Sequence, residues 1–275
     1  MRDPPPACMK ICLAQVAVTP SKEENLGKVI SVIDHLDAGT KLVVFPEYSM
    51  GFPNAGLSRR YVEETSEEME GSFVGAVASL SKEKGVSVLL PILERGRGHL
   101  YNTAVVIAGG KVLGGYRKTK LFDAFGYRES DLFGTGSELV LFELGSISFG
   151  TVICYDIRFP ELVKKQAMAG ADVILVPAAW YRGQMKEEQW QTLLMCRAHE
   201  NTSYVVGVGN ANEAFIGRSM VVSPSGIKAL DLGGGESVGY FDLDSRVVSD
   251  ARRKLPVLRQ STERALACRV LERGR

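Results

Sequence analysis

The sequence predicts an α/β fold, because short apolar runs with strand character alternate with amphipathic helical segments along most of the chain. A Gly109-Gly110 pair between two β-rich runs indicates a hairpin, which a purely parallel, doubly wound sheet would not contain. The chain has neither a GxGxxG fingerprint after its first strand nor a GxxxxGK[ST] loop. We therefore expect an α/β protein with antiparallel pairs that is not built around a nucleotide.

The first half of the chain alternates regularly between strands and helices. Strands are predicted at residues 10–18, 41–45 and 86–93, and helices at residues 21–36 and 64–84. Ser21 is a suitable N-cap for the first helix, since Glu24 follows three residues later as in a capping box. The hairpin of residues 102–116 then leads directly into the basic run RKTK at residues 117–120.

The second half resumes this alternation after residues 122–137, a glycine-containing segment that we predict to be a loop near a site. Strands are predicted at residues 147–153, 172–176, 203–208, 219–222 and 237–243, and helices at residues 160–168 and 186–200. Asp244 is a suitable cap for a last helix. No stretch of linker composition divides the chain, so we expect one domain over residues 1–275, with a loose N-terminus at 1–8 and a polar tail at 256–275.

Composition excludes several classes of function. The chain has 275 residues, 45% of them hydrophobic, and a net charge of +1, so it gives no electrostatic reason to expect a nucleic-acid or membrane partner. No apolar run approaches the length of a transmembrane helix. The five cysteines are scattered: Cys8, Cys12, Cys154, Cys196 and Cys268. Without a CxxC pair, and with three histidines, we expect no metal site and no disulfide framework, which fits a cytoplasmic protein.

Cys154 has the setting of a nucleophile. It follows the apolar strand predicted at residues 147–153, and Pro160-Glu161 opens the next helix. A thiol between a strand end and a helix start lies beside free backbone N–H groups, which can stabilise an oxyanion. A single cysteine in an apolar setting is more often an inert core residue, so this interpretation needs support from other parts of the chain.

Two charged residues occupy equivalent positions at strand ends. Glu47 follows the strand at 41–45, and Lys118 follows the second strand of the hairpin. Each alone is typical of a solvated surface charge, but with Cys154 they form a set suited to acyl transfer: a thiol attacks, a carboxylate moves protons and a cation holds the oxyanion. No histidine lies near them in the sequence, which disfavours a Cys-His dyad.

Three separated motifs carry a family resemblance: VVFPEY at 43–48, YRKTKLFD at 116–123 and GTVICYDIRFPEL at 150–162. In these motifs the chain resembles the nitrilase superfamily of carbon–nitrogen hydrolases over nearly its whole length. The resemblance implies a four-layer α-β-β-α sandwich, which accommodates both the alternation and the hairpins. It also implies a catalytic triad of Glu47, Lys118 and Cys154.

The same resemblance implies further site residues. The loop YRESDLFGTG provides a second active-site glutamate, Glu129, and the backbone N–H of Tyr155 is expected to share the oxyanion with Lys118. The segment PAAWYRG places Trp180 near the substrate. Neither a metal nor a cofactor is expected. Lys120 stands where relatives commonly have histidine, which adds positive charge near the pocket.

The spacing of charged residues leaves open whether Lys118 or Lys120 enters the site, and it suggests one ion pair. Residues 118 and 120 of an extended strand end point to the same face, so only the motif selects Lys118 over Lys120. Arg158 and Glu161 are three residues apart, and we interpret them as a structural ion pair rather than as catalytic groups.

The resemblance is greatest to the Nit and ω-amidase branch, through CYDIRFPEL and the terminal LPVLRQ. The long N-terminal extension typical of β-ureidopropionases is missing from the sequence. We therefore expect an amidase that acts on a small carboxylate-bearing amide; an N-carbamoyl hydrolase and a nitrilase are the alternatives within the enzyme class. The alternative outside the enzyme class is a non-catalytic oligomeric binding protein with the same fold. The family pattern also implies a homodimer or larger assembly, with the tail reaching a neighbouring subunit.

Overall fold

The computed structural model describes residues 8–96 and 98–261. Its strands are β1 Cys8–Gln15, β2 Thr40–Val44, β3 Ser87–Gly96, β4 His99–Ala108, β5 Lys111–Arg117, β6 Asp123–Ala124, β7 Tyr127–Arg128, β8 Leu141–Leu144, β9 Ile147–Thr151, β10 Val173–Ala178, β11 Tyr204–Gly209, β12 Met220–Val222, β13 Lys228–Asp231 and β14 Ser237–Asp244. Its α-helices are α1 Lys22–Asp34, α2 Arg59–Thr65, α3 Ser72–Lys84, α4 Pro160–Met168, α5 Lys186–Asn201, α6 Ser245–Lys254 and α7 Val257–Gln260.

The strands form two six-stranded sheets and one small hairpin. The first sheet has the order β14-β1-β2-β3-β4-β5, and the second has the order β13-β12-β11-β10-β9-β8. Each sheet has a parallel centre, β1-β2-β3 in one and β9-β10-β11 in the other, and antiparallel strands outside it. The predicted hairpin is confirmed as β4-β5, with Gly109 and Gly110 both at positive φ in its turn.

Strand β1 shows how the layers are arranged. Its side chains alternate between two cores: Ile11 and Leu13 pack in the cluster that contains the second sheet, whereas Cys12 and Ala14 pack in the cluster that contains α1 and α3. All four are fully buried. The first sheet is thus covered by helices on one face and by the second sheet on the other.

Helices α4 and α5 cover the outer face of the second sheet. Proline opens α4 at its first turn, where a missing N–H costs nothing. Trp190 and Leu194 of α5 are fully buried against β11, where Gly207 leaves room for them. A Cβ at Gly207 would lie 2.5 Å from the Trp190 ring, so the close approach requires glycine. The predicted four-layer α-β-β-α sandwich is confirmed.

The single helix predicted at 64–84 is wrong. The chain forms α2 and α3 instead, because Glu67 between them pairs with the first sheet: its N–H donates to the Leu93 carbonyl (3.1 Å) and its carbonyl accepts from the Arg95 N–H (2.7 Å). The Glu67 carboxylate then accepts from the Phe73 N–H (2.8 Å) in the first turn of α3. A tertiary contact therefore overrides a helical pattern.

Other differences lie at sheet edges and in the site loop. Strands β8 and β13 were not predicted; each is a sheet-edge strand of four residues, too short to show a clear period in the sequence. The loop at 122–137 contains the β6-β7 hairpin and a 3₁₀ turn, Glu129–Asp131. Within the described ranges no helix is long and apolar enough to span a bilayer. Residues 1–7 of the predicted loose N-terminus, and residues 262–275 of the tail with Cys268, lie outside these ranges.

Candidate active site

The three strand-end residues predicted from the sequence meet at one edge of the sandwich. Glu47 lies just beyond β2, Lys118 immediately follows β5, and Cys154 lies just beyond β9. The Lys118 ammonium is 2.8 Å from Glu47 Oε1, and the Cys154 thiol lines the same cavity as the Glu47 carboxylate. The structure therefore brings these three side chains together, at the position where α/β sheets gather functional groups.

Glu129 joins the same group from the 3₁₀ turn. Its Oε2 lies 2.9 Å from Lys118 Nζ and accepts the backbone N–H of Phe122 at 2.7 Å. Glu47 and Lys118 are each 1% exposed and Glu129 is 0% exposed. Lys120, the alternative left open by spacing, does not reach either carboxylate. Its ammonium lies 5.0 Å from the centre of the Phe159 ring.

Burial and charge set the protonation of this group. Burial, reinforced by the Glu47 carboxylate, raises the pKa of the Cys154 thiol well above its usual range. Burial acts to lower the pKa of Lys118, but the charges of Glu129 and Glu47 outweigh it and hold that pKa above its ordinary value. At neutral pH the resting site therefore holds a neutral thiol beside an ammonium.

Sequence reasoning missed Asn102 and Tyr48. The Asn102 side-chain amide, near the start of β4, donates to Glu47 Oε1 (2.8 Å) and to Glu129 Oε1 (3.1 Å). The Tyr48 hydroxyl donates to Glu129 Oε1 at 3.0 Å. A polar residue inside the buried part of an apolar strand was the available signal for Asn102, and Tyr48 lies inside the VVFPEY motif.

Cys154 stands on a sharp turn. Its φ is +48°, in the left-handed region that is unfavourable for residues other than glycine. It begins a 3₁₀ turn, Cys154–Arg158, so the N–H of Tyr155 lies in a first turn, where amides have no intrahelical acceptor. Nearby, the Ala179 N–H donates to Glu47 Oε2 at 2.8 Å. Backbone N–H groups of Tyr155 and Ala179 thus lie near the Cys154 thiol.

Above these groups lies a small cavity. Six aromatic side chains line it: Tyr48, Phe122, Tyr127, Tyr155, Trp180 and Tyr181. Trp180 is held by a hydrogen bond from its indole N–H to the Lys186 carbonyl at 3.0 Å. Arg158 and Lys186 add two cations to the wall, and Cys154, Glu47 and Lys118 form the polar part of the lining.

Lys120, which is expected to add positive charge near the pocket, lies beside the Phe159 ring and is not part of the cavity lining. One expectation about charged residues is wrong. Arg158 does not pair with Glu161: its guanidinium lies 4.6 Å from the Trp180 ring centre and donates to Gln189 Oε1 at 3.0 Å. The reason is the extended backbone of Phe159, which separates the 3₁₀ turn from α4 and places residues 158 and 161 on different elements.

The described part of the chain contains no group of three or more His, Cys, Asp or Glu side chains that could hold a metal ion. The donor set around Cys154 is also unsuited to one, because an ammonium stands between the two carboxylates. The arrangement has the components of covalent catalysis: a nucleophile, a base and oxyanion donors.

Comparison with known proteins agrees with this geometry. A family model described as carbon-nitrogen hydrolase matches residues 10–253. A protein of Escherichia coli O157:H7 named deaminated glutathione amidase is 32% identical over 91% of this chain and 96% of its own length. The omega-amidase NIT2 of Xenopus tropicalis is 29% identical over 92% of this chain and 95% of its own length.

The fold has a solved counterpart. Nit3 of Saccharomyces cerevisiae, a member of branch 10 of the nitrilase superfamily, superposes with a TM-score of 0.81 at 26% identity, covering 93% of this chain and 97% of its own. The superfamily resemblance carried by the three motifs, and its Nit-like branch, are thereby confirmed.

Proposed function

The chain belongs to the carbon–nitrogen hydrolase family, and from this premise we propose that it is an amidase that releases ammonia from a small carboxylate-bearing amide through a thioester on Cys154. The observation that carries the proposal is the buried group of thiol, ammonium and carboxylate in a small cavity whose wall adds two more cations. The similarity to proteins named as amidases supports the same reaction class.

Acylation begins from the neutral thiol. Because burial and Glu47 hold the pKa of Cys154 high, a free thiolate is scarce, and the proton must leave as the sulfur attacks. Glu47, which lines the cavity beside the thiol, takes that proton. The C–S bond forms while the π electrons of the amide carbonyl move onto its oxygen.

Lys118 is the cation for that oxygen. An ammonium has three N–H donors, and the two carboxylates occupy two of them, which leaves one for the oxyanion. The backbone N–H of Tyr155 is the second donor. Glu129, held by Tyr48 and Asn102, fixes the orientation of Lys118. Charge that is already in place costs no reorganisation when the transition state forms.

The remaining steps use the same base. Glu47 returns its proton to the nitrogen, the C–N bond breaks, and ammonia leaves with the thioester formed on Cys154. Water then attacks the thioester, Glu47 takes a proton from it, and the C–S bond breaks. The acid departs and the proton returns to the sulfur, so the net change is hydrolysis of one amide.

Arg158 and Lys186 support a carboxylate-bearing substrate. Both line the cavity, and within residues 8–96 and 98–261 neither forms a salt bridge with a carboxylate. Burial, and then the charge of Arg158, lowers the pKa of Lys186, so the two cations repel one another while the cavity is empty. A substrate carboxylate relieves that repulsion.

The direct test is release of ammonia or amine from a panel of substrates. The panel pairs monoamides of succinic and glutaric acid with butyramide and valeramide, and adds aliphatic nitriles, N-carbamoyl amino acids and deaminated glutathione. We expect the highest kcat/KM for the amides that carry a carboxylate. A preference for nitriles or N-carbamoyl compounds would replace the proposed substrate class, and no turnover of any compound would favour a binding protein.

Cys154→Ala is expected to abolish turnover, whereas Cys8→Ala and Cys196→Ala, both at exposed thiols, are expected to leave it unchanged. Circular dichroism of all three variants serves as the folding control. Normal activity in Cys154→Ala would refute the proposed nucleophile.

Arg158→Gln tests the substrate carboxylate. We expect its KM for succinamic acid to rise about 10- to 100-fold, since a charge-assisted hydrogen bond is lost, with little change for butyramide. Lys165→Gln, on the exposed face of α4, is the matched control and should alter neither value. An equal loss on both substrates would contradict the assigned role of Arg158.

A further inference from the structure

A fully buried aspartate, Asp156, accepts four hydrogen bonds from two segments of the site. Its Oδ2 accepts the backbone N–H of Ile153 (3.0 Å) and the hydroxyl of Tyr116 (2.8 Å). Its Oδ1 accepts the backbone N–H of Lys120 (2.7 Å) and the hydroxyl of Thr119 (3.2 Å). One carboxylate therefore joins the turn at the nucleophile to the strand end that carries the catalytic lysine.

These contacts lie on either side of the reacting residues. Ile153 immediately precedes Cys154, and its carbonyl accepts the Asp156 N–H at 3.0 Å, which closes the turn on which Cys154 adopts its left-handed conformation. Tyr116 and Lys120 flank Lys118. A strained nucleophile persists only where its surroundings determine its conformation, and Asp156 provides those bonds.

We propose that Asp156 is a positioning residue of this active site, whose ionised carboxylate holds the Cys154 turn and the Lys118 segment at the separation that acyl transfer requires. The proposal rests on the amidase function proposed above. It predicts that turnover depends on the charge of a residue that does not line the substrate cavity.

The hydrogen bonds that Asp156 accepts depend on whether its carboxyl is ionised. Two of the four are backbone N–H groups, which cannot accept a hydrogen bond, so protonation of the carboxyl weakens the bonds that join the two segments. Burial raises the pKa of Asp156 to about 6, while the charge of Lys118 and the hydrogen bonds from Ile153, Tyr116 and Lys120 act to lower it. The carboxylate form therefore predominates above about pH 6.

Activity can fall at low pH only through a group that gains a proton there, so the charged and titratable groups that face Asp156 must be considered. Lys118 and Tyr116 face it from the end of β5, and Arg197 of α5 reaches the same turn through a bond to the Ile157 carbonyl. Burial, and then Asp156, raises the pKa of Tyr116 far above neutrality, and the pKa of Lys118 is also raised. Neither titrates between pH 5 and 7. Among these facing groups, Asp156 is therefore the one whose ionisation falls in that range.

Stability and activity should change in opposite directions with pH. A carboxyl whose pKa rises on folding, here from 3.8 to about 6, stabilises the fold most fully at pH below 3.8 and loses that contribution as pH rises through 6. Activity should instead rise between pH 5 and 7 as the carboxylate forms. Loss of activity at pH 5 then cannot come from unfolding caused by this group.

The test is kcat against pH at saturating amide for wild type, Tyr116→Phe and Asp156→Asn. Wild type should show an acid limb near pH 6. Tyr116→Phe should move that limb up by about 0.5 to 1 pH unit, because the carboxylate loses one hydrogen bond. Asp156→Asn should remove the limb and lower kcat about 10- to 100-fold, with a smaller change in KM.

Asp172→Asn is the matched control. Asp172 lies at the opposite end of β10 from the site, burial likewise raises its pKa, and it is bonded by the Ser148 N–H (3.3 Å) and Arg252 (3.0 Å). This variant should lose thermal stability and keep the wild-type pH profile.

Failure of this proposal is distinguishable from failure of the amidase function. The role of Asp156 alone is overturned if wild type is active, Tyr116→Phe has the same pH profile as wild type, and the kcat of Asp156→Asn is within about twofold of the wild-type value. If Asp156→Asn does not fold, the Tyr116→Phe shift decides the question. A wild type that hydrolyses no amide overturns the function on which the proposal rests.

Discussion

Lys118 and Lys120 lie two residues apart in one basic run, yet the structure gives them different surroundings. Lys118 is buried between two carboxylates, whereas Lys120 contacts the Phe159 ring outside the cavity. If Lys118 stabilises the oxyanion, Lys118→Gln should lower kcat on the order of 10²-fold or more, because an N–H donor remains but the charge is lost. Lys120→Gln should leave kcat near wild type. Steady-state kinetics on one saturating amide measures both, and the reverse ranking would show that the two lysines have been misassigned.

Tyr127 provides a second prediction at the scale of single residues. Its hydroxyl is buried in the cavity wall and, among the described residues, has no hydrogen-bond partner. An unpaired buried hydroxyl is costly, so we expect it to bond to bound substrate. Tyr127→Phe should raise KM about 3- to 10-fold while leaving the melting temperature unchanged or higher. A lower melting temperature with unchanged KM would show that the hydroxyl serves the fold instead.

At the scale of elements, β4 carries the residue that bridges the two glutamates. Asn102→Leu keeps the branched shape of the side chain but removes the amide bonded to Glu47 and Glu129, so we expect kcat to fall about tenfold or more. Thr103→Val, at the next position of β4, breaks a buried bond to Glu94 (2.7 Å) that lies outside the site. This control should lose stability and keep kcat. Equal kcat in both variants would exclude a role for Asn102 in catalysis.

The elements also show what sequence could predict. The positions of Glu47 and Cys154 were predictable because apolar, β-branched runs stop shortly before them, and side chains beyond parallel strands meet at one edge. Lys118 follows the antiparallel strand β5, so its place in the site was predictable only from its motif. The break between α2 and α3 was not predictable from the sequence, since it depends on Glu67 pairing with β3, a contact between residues far apart in sequence. Asp156 was missed for the same reason: its partners include residues 116–120, which no local pattern connects to it.

For the whole molecule, we propose a homodimer that forms through the helices flanking the second sheet and the C-terminal tail. Met168 at the end of α4 is 46% exposed, which supplies an apolar contact on that face. Light scattering should give twice the chain mass, and Met168→Lys should weaken association. Leu113→Lys, at an exposed residue of β5, is the control and should not. A monomer at all practical concentrations would contradict the proposal. The extent of the domain, over residues 1–275, also stays a prediction.

The central claim is that Cys154 becomes acylated during turnover. Mass spectrometry of the intact protein, quenched in acid during hydrolysis of succinamic acid, measures this most directly. We expect a species heavier by one succinyl group, located by peptide mapping at Cys154 and missing from Cys154→Ala, because an acid quench preserves a thioester. Rapid ammonia release with no such species at any quench time, or with the acyl group on another residue, would contradict the account.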